Sequence, residues 1–474
     1  MNPRECTAAF LPGVAVSSRF RQITLLKPMW TVRQLAQDLA AGRTTSRKLL
    51  DTALERIADP KGEGVRAFLK TYADTARADA DHADALRRAG VARSPIDGLL
   101  ISVKDLYDVA GDVTRAGSKV LELWPTADAP AVARLRAAGA ILIGRTNMVE
   151  FAFGGLGLNP HYGTPRGPWD RATGRVPGGS SSGAGVAQAD GMCVMALGSD
   201  TRGSVRIPAA LCGVTGWKPT AARIPRDGAF PLSYTLDSVG PLANSIECCA
   251  AYDAVLAGES PAPLAGIPAR LLRLVVPKSS LLDGLHERVG RAFERALEAL
   301  SKAGAMVETV DAPVFTRAQD LFRSGGLAGA ESWHIHRGRR ERFGELDPRV
   351  AQRLVLGEKF SAADYIQILH ERAATIREAD ALVASYDAMI YPTVAVIPPT
   401  IAEASTSDEA YFDWNLKVLR NTGIANVLDG CAATIPCHRP GEAPVGLTIA
   451  GSGGNDRKTL AIAAAVQAVV EPWR

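Results

Sequence analysis

The stretch GSDTRGSVRIPAALCG, residues 198–213, crowds glycine, serine, aspartate and threonine into one loop around Arg202. A plain surface turn needs one or two such residues. A longer run of them just before an apolar segment points backbone amides at something. Two more patches share this character. VPGGSSSGAG spans Val176 to Gly185, and ISVKD places Lys104 at the end of an apolar run. Small residues let a backbone approach a ligand closely. A lysine at the end of a buried strand is desolvated, which lowers its pKa and suits it to act as a base. Composition alone also fits a plainer account, because Gly/Ser loops are common and lysine heads usually reach water.

Two other patterns carry less. Gly179-Ser180-Ser181-Ser182-Gly183 satisfies G-x-S-x-G, the strand-to-helix nucleophile turn. That turn needs a buried strand before it, and RATGRVPGG is polar and broken by proline. His334-x-His336 could set two imidazoles on one strand face, but no third ligand or carboxylate stands at a metal-site spacing. Ordinary histidines are expected, with no metal and no cofactor.

The elements that must position these patches read as an alternation. Val32, Leu35, Ala36 and Leu39 follow helical spacing up to Gly42, and Leu49, Leu50, Ala53, Leu54 and Ile57 mark a second helix before Pro60. YADTARADADHADALRRAG reads as a surface helix. DGLLISVKD, AILIG and GMCVMALGSD are short apolar runs of strand type. From about residue 255 the chain reads as more helical and charged, and strand character returns in YDAMIYPTVAV and PVGLTIAG. The expected class is α/β: a single large α/β/α sandwich whose mixed central sheet carries helices on both faces. Residues 1–28 read as an N-terminal extension, poorly ordered, and residues 29–474 as one domain.

Composition bounds the partners. Of 474 residues, 47% are hydrophobic and 22% charged, a globular profile. The 54 basic and 50 acidic side chains leave +4, spread along the chain. No nucleic-acid partner is expected, since HRGRRERF, the densest basic patch, is interrupted by Glu341. Seven cysteines, an odd number without a C-x-x-C, read as reduced thiols of a cytoplasmic protein. No apolar run approaches a membrane span, and the N-terminal run, broken by Pro12 and Gly13, does not read as a signal peptide.

Taken in order, ISVKDLYDVAG, GGSSSGAG and LGSDTRGSVRIPAALCGVTGWKPT resemble the amidase signature family of serine hydrolases. RLRAAGAILIGRTNMVEFAFG lies between the lysine and the first serine loop, as it does in that family, and LDSVGPLANS, YDAMIYPT and PVGLTIAG fit its later segments. The likeness runs from about residue 30 to the end, with the signature core at about 95–225. It implies that Ser204 is the nucleophile, Ser180 a bridging serine preceded by a cis peptide, and Lys104 the base. It further implies an oxyanion hole built from the amides of Thr201, Arg202, Gly203 and Ser204. The implied activity is hydrolysis of a carboxamide to a carboxylate and ammonia or an amine, through an acyl-enzyme. A serine hydroxyl needs an adjacent base to become a nucleophile, and the hydroxyl of Ser180 can accept and donate at once.

Arg202 departs from the family, which usually has a small residue there. The expectation is a backbone of negative φ with the guanidinium turned outward to a local carboxylate or to solvent. The competing expectation sends it into the substrate mouth to pair with an acidic group. Two alternatives to a free-standing amidase are weighed: the glutaminase component of a tRNA-dependent amidotransferase, and a non-catalytic binding homologue. That glutaminase commonly has glutamine where this chain has Ile207 and Ser238. The intact Lys104, Ser180 and Ser204 speak against the binding homologue. The expected partner is a small-molecule amide, with a homodimer left open and no membrane. Pocket walls are expected from Phe151 to Trp169 and from about 320 to 420.

Overall fold

A computed structural model describes residues 30–322 and 325–470. The proposed extension, residues 1–28, lies outside the described residues.

The first helices follow the apolar spacing. Val32–Ala40 starts at Thr31, whose side chain accepts from the Gln34 amide, and buries Val32, Leu35 and Leu39. The chain leaves it through Gly42 at φ +67°, a left-handed turn that glycine takes without penalty. Ser46–Ala58 follows, capped by Thr45. Ala73–Arg88, expected at the surface, is exposed along one side and buries Ala76, Ala80 and Ala83 along the other.

Eleven strands form one mixed sheet: β1 (Phe68–Thr71), β2 (Leu100–Lys104), β3 (Ile141–Thr146), β4 (Met195–Asp200), β5 (Thr215–Lys218), β6 (Ser238–Ala243), β7 (Arg273–Lys278), β8 (Met306–Asp311), β9 (Ala388–Pro392), β10 (Cys431–Pro436) and β11 (Gly446–Gly451). The order across the sheet is β1-β3-β2-β4-β6-β5-β10-β11-β9-β7-β8. The sheet is parallel at β3-β2-β4 and at β9-β7-β8, and antiparallel between those blocks. Successive residues of one strand feed two separate cores. In β9, Ala388 and Ile390 join one cluster while Met389 and Tyr391 join another, and β7 divides Leu274 and Val276 from Val275 in the same way. Strand side chains alternate between faces, so both faces of the sheet are covered.

The expected strands ending at Lys104, in AILIG, in GMCVMALGSD and in the two late segments are all present. The stretch after residue 255 is less helical than its composition suggests, because it contains β7 and β8. β8 is an edge strand, exposed or half-exposed along its length, so it carries no apolar run for the sequence to reveal. For the site, the central pairing matters most. Parallel β2 and β4 pair with Val103 opposite Leu197, which brings the two strand ends together, and the Lys104 side chain reaches Ser199 there.

Candidate active site

Lys104 is fully buried at the end of β2. Its Nζ lies 2.6 Å from Ser180 Oγ and 2.9 Å from Ser199 Oγ. Burial pushes the ammonium pKa down to about 7, against the opposing pull of the Asp237 and Asp200 carboxylates. Ser180 is also fully buried, and the Gly179–Ser180 peptide is cis. The turn is held by backbone on both sides: the Gly179 amide donates to Gly155 O at 2.7 Å, and the Val149 amide donates to Ser180 O at 3.0 Å. A Cβ on Gly179 would lie 2.8 Å from the Gly157 nitrogen, so this close approach requires glycine. Ser204 belongs to the same cluster, since the Ser181 amide donates to its carbonyl. Ser204 is 3% exposed and opens onto a cavity.

The loop between β4 and the helix Arg206–Cys212 is organised by Asp200. This buried carboxylate accepts from the amides of Gly203, Val205 and Arg206, from the Arg206 guanidinium at 2.9 and 3.1 Å, and from Asn426 Nδ2. Burial alone would raise its pKa, but Arg206 outweighs that and holds it at about 2. Gly203 takes the left-handed φ of +123°, and a Cβ there would lie 2.1 Å from Thr422 Oγ1. The Gly203 amide donates to Asp200 Oδ1 at 2.7 Å. A buried carboxylate needs donors, and the nearest amide of the loop supplies one.

The cavity at Ser204 holds about 400 Å³. Its walls come from the segments expected: Ala152–Gly154 on one side, Phe322, Arg353, Phe412 and Leu419 on the other. Arg202 corrects an expectation. Its φ is not left-handed, as expected, but its side chain does not turn outward to a carboxylate. It lines the cavity beside Ser204, with its guanidinium 3.9 Å over the Phe322 ring. Among the described residues it has no carboxylate partner, and its buried Nε has no hydrogen-bond partner. Stacking on an aromatic face that also closes the cavity draws the side chain inward.

The other patterns resolve simply. Ser181 is fully buried, with its hydroxyl donating to Ser199 O at 3.5 Å, so it is not presented to the cavity. His334 and His336 lie on the helix Gly326–His336 rather than on a strand, and His336 packs on Phe151 and Phe230. Sequence reasoning assigned no role to Ser199, Asp200, Arg206, Asn426 or Arg353. The first three sit inside the loop 198–213, and their spacing at a strand end was the available signal. Asn426 and Arg353 reach the site only through tertiary packing.

Comparison with known proteins agrees with this geometry. The amidase family model matches residues 48–460. A 2-amino-5-chloromuconic acid deaminase of Comamonas testosteroni is 38% identical over 438 residues, covering 90% of this chain and 93% of that protein. The glutamyl-tRNA(Gln) amidotransferase A-type component of Roseiflexus castenholzii is 38% identical over 383 residues, covering 73% of this chain and 76% of that protein. A crystal structure of an amidase superposes with a TM-score of 0.84 at 33% identity, covering 93% of this chain and all of the other.

Proposed function

The chain belongs to the amidase family and hydrolyses amide C–N bonds, and from that premise we propose that Ser204 is its nucleophile, Ser180 its proton bridge and Lys104 its base. The observation that carries this reading is the buried contact of 2.6 Å between Lys104 Nζ and Ser180 Oγ, with the lysine pKa down at about 7.

Neutral Lys104 donates to Ser199 Oγ and offers its lone pair to the Ser180 hydroxyl. Ser204 Oγ attacks the amide carbon, its proton passes to Ser180, and the Ser180 proton passes to Lys104. The carbonyl oxygen becomes an oxyanion facing the amides of Thr201, Arg202 and Ser204, where each donor contributes about 3–4 kcal/mol in comparable hydrolases. When the intermediate collapses, the C–N bond breaks and the relay returns a proton to the leaving nitrogen. Water then attacks the acyl-enzyme with Lys104 again as base, releasing the carboxylate and restoring Ser204.

A second reading, a glutaminase that passes ammonia to a partner protein, has support in the likeness to the amidotransferase component. Against it stand Ile207, buried in the helix after Ser204, and Ser238, whose hydroxyl donates to Asp200 O at 3.0 Å. These are the positions where that glutaminase commonly has glutamine. A free-standing enzyme in the cytoplasm is the reading favoured, with Cys193, Cys212, Cys248, Cys249 and Cys431 buried as thiols, in keeping with a reducing compartment. Among the described residues no helix is long and apolar enough to cross a membrane.

The test is ammonia release by the purified chain alone from a panel of neutral and acidic amides, with covalent labelling by a fluorophosphonate. Ser204→Ala should abolish both. Labelling that survives in Ser204→Ala and disappears in Ser181→Ala would overturn the assignment, and release that requires a partner and glutamine would favour the ammonia-passing reading.

A further inference from the structure

The cavity at Ser204 presents two guanidiniums that have no counter-charge among the described residues. Arg202 stacks on Phe322, and its buried Nε has no hydrogen-bond partner among them. Arg353 lines the same cavity, 4.6 Å over the Phe153 ring, with Nε donating to Arg349 O at 3.1 Å and a terminal nitrogen donating to Tyr411 Oη at 3.1 Å. Neither forms an ion pair with a described residue, and no aspartate or glutamate is among the described residues lining the cavity. The rest of the wall is largely apolar, including Leu232, Leu356, Leu416 and Leu419.

Two positive charges facing one cavity repel each other. Burial, with Arg353 adding to it, brings the Arg202 pKa down to about 10, so Arg202 stays charged at neutral pH. The two most deeply buried arginines among the described residues are paired, Arg206 with Asp200 and Arg145 with Asp112. A folded chain keeps unpaired charges in a cavity at a cost in stability, and an anionic ligand removes that cost. The planar guanidinium fork matches a carboxylate edge to edge.

We propose that Arg202 and Arg353 together receive a substrate carboxylate, so that the enzyme acts on small amides carrying an anionic carboxylate, converting each half-amide and water to a dicarboxylate and ammonia. This rests on Ser204 as the nucleophile, which lines the same cavity. The apolar wall takes the hydrocarbon between the two ends. Arg202 is thus a specificity-determining residue whose backbone borders the oxyanion loop while its side chain reads the far end of the substrate.

The experiment separates binding from turnover. Malonate, succinate, glutarate and adipate are titrated by calorimetry into the wild-type chain, Arg202→Gln and Arg353→Gln, with the matching neutral diamides and inorganic phosphate as further arms. At least one dicarboxylate should bind, its diamide should bind at least tenfold more weakly, and each variant should lose at least tenfold in affinity. Arg202→Lys, which keeps charge without the fork, should lose less than Arg202→Gln. In parallel, wild-type kcat/KM should favour the half-amide acid over the unsubstituted amide of equal length by tenfold or more. The wild-type arms need no variant to fold. Carboxylate binding undiminished in both Gln variants, no carboxylate binding at all, or phosphate bound in preference would each overturn the proposal. Arginine-dependent dicarboxylate binding in a chain whose Ser204→Ala variant still turns over would sink the nucleophile assignment and leave the subsite standing.

Discussion

Arg206 and Arg202 leave the same loop. The first is buried against Asp200 and Asn426, whereas the second lies over Phe322 without a carboxylate partner among the described residues. The difference separates two regions of the site. At the sheet end, Lys104, Ser180, Ser199, Asp200 and Arg206 answer one another, so geometry is set before any ligand arrives. At the cavity wall, Arg202 keeps a buried Nε without a hydrogen-bond partner, and neither Arg202 nor Arg353 has an acidic partner among the described residues. Internally matched charges hold a structure in place, and unmatched ones in a cavity hold a place for something else.

The largest effect that would sharpen this contrast lies at the sheet end. Lys104→Ala should cost at least about 10³-fold in kcat while the circular dichroism spectrum stays native. In the wild type, kcat/KM should rise with pH through about 7, because the folded lysine has a depressed pKa and becomes a base only when deprotonated. A profile flat across that range, or a Lys104→Ala variant with near-normal kinetics, would remove the lysine from the mechanism.

Arg206→Ala comes next. It leaves Asp200 buried and uncompensated, so urea unfolding should show a loss of about 3–5 kcal/mol. A loss near zero would mean that Asp200 finds other support, and the sheet end would no longer differ from the wall.

The smallest effect is expected at the wall itself. Arg202→Gln removes a stacked but unpaired guanidinium, and the same urea measurement should change by no more than ~1 kcal/mol in the absence of ligand. A large destabilisation would give Arg202 a structural duty and break the contrast from the other side.

The sequence made much of this legible. Lys104, Ser180 and Ser204 sit in short motifs whose residue types and order can be read without coordinates, because small residues in tight turns and a lysine at a strand end are local requirements. The strands that carry them are continuous apolar runs for a similar reason, since burial on both faces leaves little choice of residue. β8 was not legible, because an edge strand is not held to that constraint.

Other features belong to tertiary structure alone. That Gly203 spends its amide on Asp200 depends on the depth of the loop, which no spacing encodes. That Arg202 turns inward depends on Phe322, distant in sequence, and the second guanidinium comes from Arg353, further along still. Motifs record what the backbone must do locally. The direction of a long side chain is decided by the surfaces that distant segments bring around it, so the nucleophile, bridge and base could be proposed from sequence, whereas the choice between the two directions left open for Arg202, and the arrival of Arg353 beside it, belonged to the fold.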